Sequence, residues 1–289
     1  MQLPPTFTLA TARAAGLSRS VLRGGGYVRI SHDLVVRLDD AIDARERLGV
    51  LVSVLPADAA YSHTTAAHLL GAHLDLPARA HVALTPRRVL PQRADLVVHA
   101  RRLDPTDVVD LAGLRVTSGA QTFLDLSAVL PPAELVAVGD ALLRAGHLTA
   151  DELAARLARA GRVRGVVRAR CCAPVLTEQA MSRPESLMRY WLVDSHLPDP
   201  EVQVPAHDRF GAVVARSDLG HRRWRLRMEY EGRQHADEAQ FGRDVDRYSL
   251  MAAAGDLVLR FAARHLTART VVSRTEQALR SQGWRPDPR

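Results

Sequence analysis

Four side chains near the end of the chain carry the most suggestive chemistry: Asp218, Glu229, Glu231 and His235. The run from Trp224 to Glu231 alternates strictly between apolar and charged residues. As a strand it turns Trp224, Leu226, Met228 and Tyr230 to one face and Arg225, Arg227, Glu229 and Glu231 to the other. In the run before it, Val213, Ala215, Ser217 and Leu219 are small or apolar, which leaves Arg216 and Asp218 on the opposite face. A turn centred near Arg223 and Trp224 sets Asp218 across the ladder from Glu229, and three carboxylates then converge on one spot. No lysine stands anywhere in the chain to neutralise them. A hard divalent cation held by oxygen, Mg²⁺ or Mn²⁺, is the natural counter-charge. Gly232 breaks the strand and brings His235 back toward the acidic face, where an imidazole can pass protons to and from an attacking water or a leaving oxygen. The plainer account is an exposed charged ladder in which Arg225 and Arg227 balance Glu229 and Glu231; Asp218, Gly232 and His235 weigh against it.

These groups need elements to hold them. Ser182, Pro184 and Glu185 read as the cap and first turn of a helix running to about Ser195, with Glu185 a capping carboxylate that also supports the site. After the acidic strand come a helix over Phe241 to Ala254, a Gly255 stop, a strand over Leu257 to Phe261 and a helix over Thr267 to Gln282. Strand, helix, strand implies a right-handed crossover and an α/β sheet that carries the acidic hairpin. Arg247 and Arg260 on those elements are candidates for phosphate contact, whereas Asp244 and Asp246 read as solvated.

At the other end, a short helix over Thr8 to Ala15, a turn at Gly16 and a second short helix opened by Ser18 precede Gly24-Gly25-Gly26. Strands over Tyr27 to Ile30 and Leu34 to Leu38 follow, the order of a winged helix-turn-helix. Arg19 and Arg23 then sit on the groove-reading helix and Arg29 and Arg37 on the wing. A small helical cap that binds nothing fits the same pattern equally well. From Ala41 to about Gly161 the pattern is mixed. Helices are expected over 45–55, 64–70, 121–130, 132–145 and 151–160, the last opened by a Thr149/Glu152 capping box. Strands are expected over 81–85, 96–99 and 114–117. The histidines of this stretch, His63, His68, His73, His81 and His99, fall on different elements and read as satisfied or solvent-facing. Arg162 to Arg170 could be an interdomain helix or a DNA-facing patch, and reads most simply as a solvated linker.

At 289 residues the chain holds two or three domains. All 39 of its Lys+Arg positions are arginine, and the net charge is +7 with a sequence pI of about 10.3. Part of that arginine excess reflects a compositional bias that also removes asparagine and leaves only Ile30 and Ile42 as isoleucines. The sign of the charge still favours a polyanion, and nucleic acid over other partners. Cys171 and Cys172 are adjacent, poorly placed for a disulfide or a zinc site, which fits a reducing compartment. No apolar run reaches a bilayer's thickness and no leader pattern opens the chain, so a cytoplasmic protein without membrane contact is expected.

Ser182-Arg183-Pro184-Glu185-Ser186, Gln203, Arg216-Ser217-Asp218-Leu219, Glu229-Tyr230-Glu231-Gly232-Arg233-Gln234-His235, Arg243-Asp244 and Leu259-Arg260-Phe261 resemble, in order, the very-short-patch-repair-like endonuclease domain of the PD-(D/E)XK superfamily. The likeness spans roughly Thr177 to Trp284. It implies a mixed sheet flanked by helices, Asp218 and Glu229 as metal ligands, Glu231 where the superfamily has lysine, and His235 as an active-site histidine. Gln203 and Arg216 would position the DNA strand. The chain departs from the family in Glu231, where aspartate is usual, and in having no lysine. Phe7 to Leu17, Tyr61 to Ala67, and Val116-Thr117-Ser118 with Thr122 to Asp125 resemble, more loosely, the AbiE-type (type IV) antitoxin family. That likeness implies phage defence or repression as a setting and a toxin as a partner.

The resulting expectation is an α/β chain in four parts: a winged helix-turn-helix over 1–40, a mixed α/β antitoxin-like domain over 41–161, a linker over 162–176 and an endonuclease-like domain over 177–289. The expected activity is Mg²⁺-dependent hydrolysis of DNA phosphodiesters. The competing readings are a non-catalytic DNA-binding regulator or antitoxin that retains a degenerate nuclease fold, and a nuclease acting on RNA or modified DNA.

Overall fold

The structure is a computed structural model and describes residues 3–4, 6–23, 26–29, 33–37, 44–207, 211–232 and 248–286. It is a mixed α/β protein whose strands, among the described residues, form sheets of three, four and five strands. The chain divides into two compact units, one of Met1–Val129 with His147–Ala169, the other of Leu130–Gly146 with Arg170–Arg289. No helix among the described residues is long and apolar enough to cross a membrane.

The first unit opens with β1 (Thr6–Thr8) and α1 (Leu9–Ala14), whose cap Thr8 accepts from Thr11 N at 3.0 Å. The expected second helix is only a 3-10 turn at Val21–Arg23. Ser18 and Ser20 bond to each other at 2.7 Å, and the glycine run leaves too few residues to repay helix nucleation. The hairpin of β2 (Tyr27–Arg29) and β3 (Leu34–Arg37) is present, and β1 pairs with β3, so the sheet order is β1-β3-β2.

Then follow α2 (Ala44–Val52), β4 (Ala60–Tyr61), α3 (His63–Leu69), β5 (Ala80–Leu84), β6 (Leu96–Ala100), β7 (Val108–Leu111), β8 (Leu114–Thr117) and α4 (Gly119–Leu126). The five strands take the order β6-β5-β4-β8-β7, with β5 parallel to β6 and antiparallel to β4. Tyr61, Val82, Leu84, Val116 and Phe123 are buried around this sheet. Each contributes about 1.5–3 kcal/mol by leaving water. Past α5 (Pro132–Arg144), which groups with the second unit, α6 (Ala150–Arg159) opens on the Thr149/Glu152 capping box. The expected linker contains a helix, α7 (Val166–Cys172), because Val166, Ala169 and Cys172 share a buried stripe at helical spacing.

In the second unit α8 (Arg183–Val193) starts at its Ser182 cap. Four strands follow: β9 (Glu201–His207), β10 (Val213–His221), β11 (Leu226–Glu231) and β12 (Leu257–Ala262), in the order β12-β11-β10-β9. β11 is antiparallel to β10 and parallel to β12. It begins two residues later than its alternation predicts. Trp224 closes a 3-10 turn and Arg225 caps it in the left-handed region at φ +51°. Of the helix expected over Phe241 to Ala254, residues 248–253 are helical and the earlier part lies outside the described residues. Helix α9 (Ala268–Ser281) packs Val271 and Leu279 into a core with Met188, Leu226, Met228 and Phe261.

Candidate active site

Strand pairing sets a row of polar side chains across the four-stranded sheet. Val202 pairs with Leu219 and Val204 with Ser217, so Gln203 and Asp218 stand opposite each other. Leu219 pairs with Met228, which puts Asp218 opposite Glu229, and Glu229 in turn pairs with Arg260 on β12. Residues directly opposite share a face, as do residues two apart, so Arg216 and Glu231 join the same side of the sheet. The 3-10 turn at Arg222–Trp224 centres the hairpin where the sequence placed it.

At one end of the row Gln203 lies in the left-handed region at φ +51°, a strained conformation inside a strand. Its Nε2 donates to Glu185 Oε2 at 3.4 Å, and its carbonyl accepts from Arg216 Nη1 at 3.3 Å. Glu185 is buried and accepts from Met181 N at 2.9 Å and from Ser182 Oγ at 2.8 Å, while its own N–H donates to Ser182 Oγ. It therefore closes the first turn of α8 and also anchors Gln203.

At the other end the Tyr248 hydroxyl lies 2.8 Å from Glu229 Oε2 and also contacts Glu231 Oε1. A phenol carries one hydrogen, so it can donate to only one of the two carboxylates at a time. Arg260 Nε donates to Glu231 at 2.9 Å, and its guanidinium lies 4.3 Å from the Tyr248 ring centroid. The bond to Glu231 raises the Arg260 pKa above its ordinary value. Asp218 Oδ2 accepts from Tyr230 N at 2.7 Å.

Two expectations change. Among the described residues, Asp218, Glu229 and Glu231 do not form a trio of ligating atoms all within 4.8 Å of one another. Asp218 is drawn to a backbone N–H, and Glu231 to Arg260 and Tyr248. Nor do Arg225 and Arg227 balance the glutamates: Arg227 is buried, donates to Asp256 at 2.9 Å and reaches the carbonyls of Val204 and Pro205. Arg225 Nε lies 3.8 Å from Asp256. His235 and Arg247 lie outside the described residues. Tyr248 escaped the sequence reading, which placed only acidic residues and Arg247 on its helix.

In the first unit Arg19 and Arg23 are exposed. With Leu9, Arg13 and Arg29 they border a cavity of about 310 Å³.

A second cluster contradicts the reading of scattered histidines. The register of β5 and β6 puts His81 and His99 diagonally on one face, and α3 brings His63 to them. His99 Nε2 lies 3.1 Å from His81 Nδ1, and the His63 and His99 rings stack with centroids 3.6 Å apart. One ligating atom from each of the three lies within 4.8 Å of the others. His63 is buried and strained at φ +50°, with Ser62 Oγ 3.1 Å and Asp125 Oδ2 3.8 Å from its Nδ1. Burial, then the Arg101 charge, lowers the pKa of His63 to about 3; burial, then His63 itself, lowers that of His99 to about 4.

The fold and site define a mixed α/β protein with a carboxylate row on one sheet and a histidine cluster on another. No family model matches the chain. The uncharacterized proteins MT2308 and Rv2248, from two strains of Mycobacterium tuberculosis, are each 29% identical to it over 238 residues, 81% of this chain and 84% of theirs. Among solved structures, the RV2827C protein of Mycobacterium tuberculosis is similar with a TM-score of 0.42 and 18% identity, over 64% of this chain and 75% of that one.

Proposed function

We propose that the second unit is an endonuclease-like module that hydrolyses DNA phosphodiesters with a divalent cation, and that the arginines of the first unit help to hold the duplex. The observation that carries this is the row of Gln203, Asp218 and Glu229 across β9, β10 and β11, with Glu231 beside it. Its acidic donors are all oxygens, the set a hard cation takes in preference to softer ions. Asp218 and Glu229 are the residues that would hold Mg²⁺ or Mn²⁺. When bound, such an ion supplies a polarised phosphate and a water of lowered pKa. Glu231, fixed by Arg260, orients water at the edge of the row, and the Tyr248 hydroxyl donates its one hydrogen to either Glu229 or Glu231. Arg216 and Arg260 are exposed and offer guanidinium donors to backbone phosphates, which position a duplex without reading its sequence. Gln203, anchored on Glu185, positions the strand. His235 and Arg247 keep the roles the family likeness implies, proton transfer and phosphate contact.

The test is incubation of the purified protein with supercoiled plasmid and Mg²⁺ or Mn²⁺, beside Asp218→Ala and Glu229→Gln. Cleavage by the parent alone supports the reading; cleavage that survives both substitutions, or none under any condition, refutes it. One observation favours a second reading. Glu231 already has a cationic partner in Arg260, and the three carboxylates do not gather, as suits a degenerate nuclease fold kept for binding. The chain would then act as a DNA-binding regulator or antitoxin with a toxin partner. Tight, salt-sensitive DNA binding without cleavage is its signature.

A further inference from the structure

We propose that His63, His81 and His99 form a binding site in the first unit for one transition-metal dication of zinc's class, with Asp125 behind His63 as the orienting carboxylate. The site is separate from the carboxylate row and independent of the nuclease reading.

The donor geometry comes first. A tetrahedral ion held about 2.0–2.1 Å from imidazole nitrogens separates them by roughly 3.3–3.4 Å. His99 Nε2 and His81 Nδ1 are 3.1 Å apart, close to one edge of that tetrahedron, and His63 falls within the 4.8 Å span of the trio. Lone pairs lie in the ring plane, so the stacked rings of His63 and His99 cannot grip one ion as they stand. His99 must swing off the face of His63, and its half-buried side chain on β6 has solvent to move into. His63 cannot move as far, because it is buried at the start of α3 in a left-handed backbone.

The carboxylate is the second, independent observation. Asp125 on α4 is 4% exposed, and its Oδ2 has no hydrogen-bond partner among the described residues although it lies 3.8 Å from His63 Nδ1. Metal-bound histidines commonly donate their second ring N–H to a carboxylate, which fixes tautomer and ring orientation. With its Nδ1 proton directed to Asp125 and Ser62, His63 presents Nε2 to an ion. Arg101 Nε donates to the other Asp125 oxygen at 3.2 Å and holds that carboxylate in place. Three neutral imidazoles select zinc-class ions over Mg²⁺ and leave a fourth position for water.

The test uses the full chain, stripped with a chelator. Zn²⁺ uptake is measured by metal analysis after dialysis, and Co²⁺ uptake by its visible absorption. With excess Mg²⁺ present to occupy the carboxylate row, one equivalent is expected, with the intense absorption of tetrahedral Co²⁺. His99→Ala should abolish it, Asp125→Asn should weaken it about 10- to 100-fold, and Asp218→Ala and Glu229→Gln should leave it intact. No uptake by the parent, uptake retained by a folded His99→Ala protein, or uptake lost in Glu229→Gln overturns the proposal. If His99→Ala does not fold, His81→Gln and the parent Co²⁺ spectrum decide: weak octahedral absorption, or retained uptake, counts against the site.

Discussion

The carboxylate row depends on helix α8, and α8 depends on a buried ion pair with α5. Asp140 on α5 is fully buried. Its Oδ2 and Oδ1 accept from Arg189 Nη2 at 2.8 and 3.1 Å, and Oδ1 also accepts from Thr177 N at 2.8 Å. Burial raises the Asp140 pKa, and the Arg189 guanidinium pulls it back toward the ionised form. In Asp140→Ala, Arg189 keeps the Val175 carbonyl but loses its counter-charge in a site that water scarcely enters. Breaking a buried pair on one side costs about 3–5 kcal/mol. For a unit of this size that lowers Tm by roughly 10–15 °C. All three tryptophans, Trp191, Trp224 and Trp284, lie in the second unit, so denaturant unfolding followed by tryptophan fluorescence reports this unit. The double variant Asp140→Leu/Arg189→Met should recover most of the loss, because replacing both charges by apolar groups is often neutral. A single variant that loses less than about 1 kcal/mol, below the cost of one orphaned buried charge, would refute the claim that this pair fastens α8.

Three further outcomes follow from the same geometry. Tyr248→Phe keeps the ring under Arg260 but loses the hydroxyl shared by Glu229 and Glu231, and should cost about 1.5–3 kcal/mol without divalent ions. Saturating Mg²⁺ should narrow that gap in urea titrations; an equal gap with and without the ion rules out neutralisation there. His221 is buried, and burial lowers its pKa from 6.5 to about 4, so the unfolded chain takes up its proton first as pH falls. Its contribution is complete above about pH 6.5, is lost between there and pH 4, and amounts to about 3 kcal/mol at most; parent minus His221→Gln stability, measured across pH 7.5 to 4, should show that slope. Gly165 has φ +87°, and a Cβ there would meet Ala128 N at 2.5 Å, so Gly165→Ala should cost roughly 2–4 kcal/mol in thermal unfolding.

Much of the second unit was legible because its signals are local. The Ser182 cap, the period-two alternation of β11 and the hairpin centre at Arg222–Trp224 each lie within a few residues, and the last two set Asp218 against Glu229. β9 was missed because Pro205 interrupts it; a proline is tolerated there because β9 is an edge strand, a fact of topology. The convergence of the three carboxylates was over-read because only Arg225 and Arg227 were weighed as cations that could answer them. Arg260 does so through the parallel register of β11 and β12, which is set 29 residues away in the chain. The histidine cluster was invisible for the same reason. His81 and His99 meet only through a parallel pairing, and His63 joins them through a left-handed residue that no propensity would place there.

The carboxylate row and the histidine cluster thus surround their polar groups in different ways, and the contrast bears on where a cation belongs. In the carboxylate row Glu231 is answered from within the chain by Arg260 and the Tyr248 phenol, so an ion held by Asp218 and Glu229, as the proposed function requires, would compete with those partners. In the histidine cluster the three rings have one another, the Ser62 hydroxyl and the Asp125 carboxylate behind His63, and one ligating atom of each lies within 4.8 Å of the others. A hard ion gains little from the second arrangement and a zinc-class ion gains much, since imidazole nitrogen is the softer donor. Metal competition therefore separates the sites: excess Mg²⁺ should leave Co²⁺ absorption at the histidines unchanged, and Zn²⁺ should displace it. If Mg²⁺ displaces the cobalt signal, the coloured ion sits on carboxylates and the histidine assignment fails.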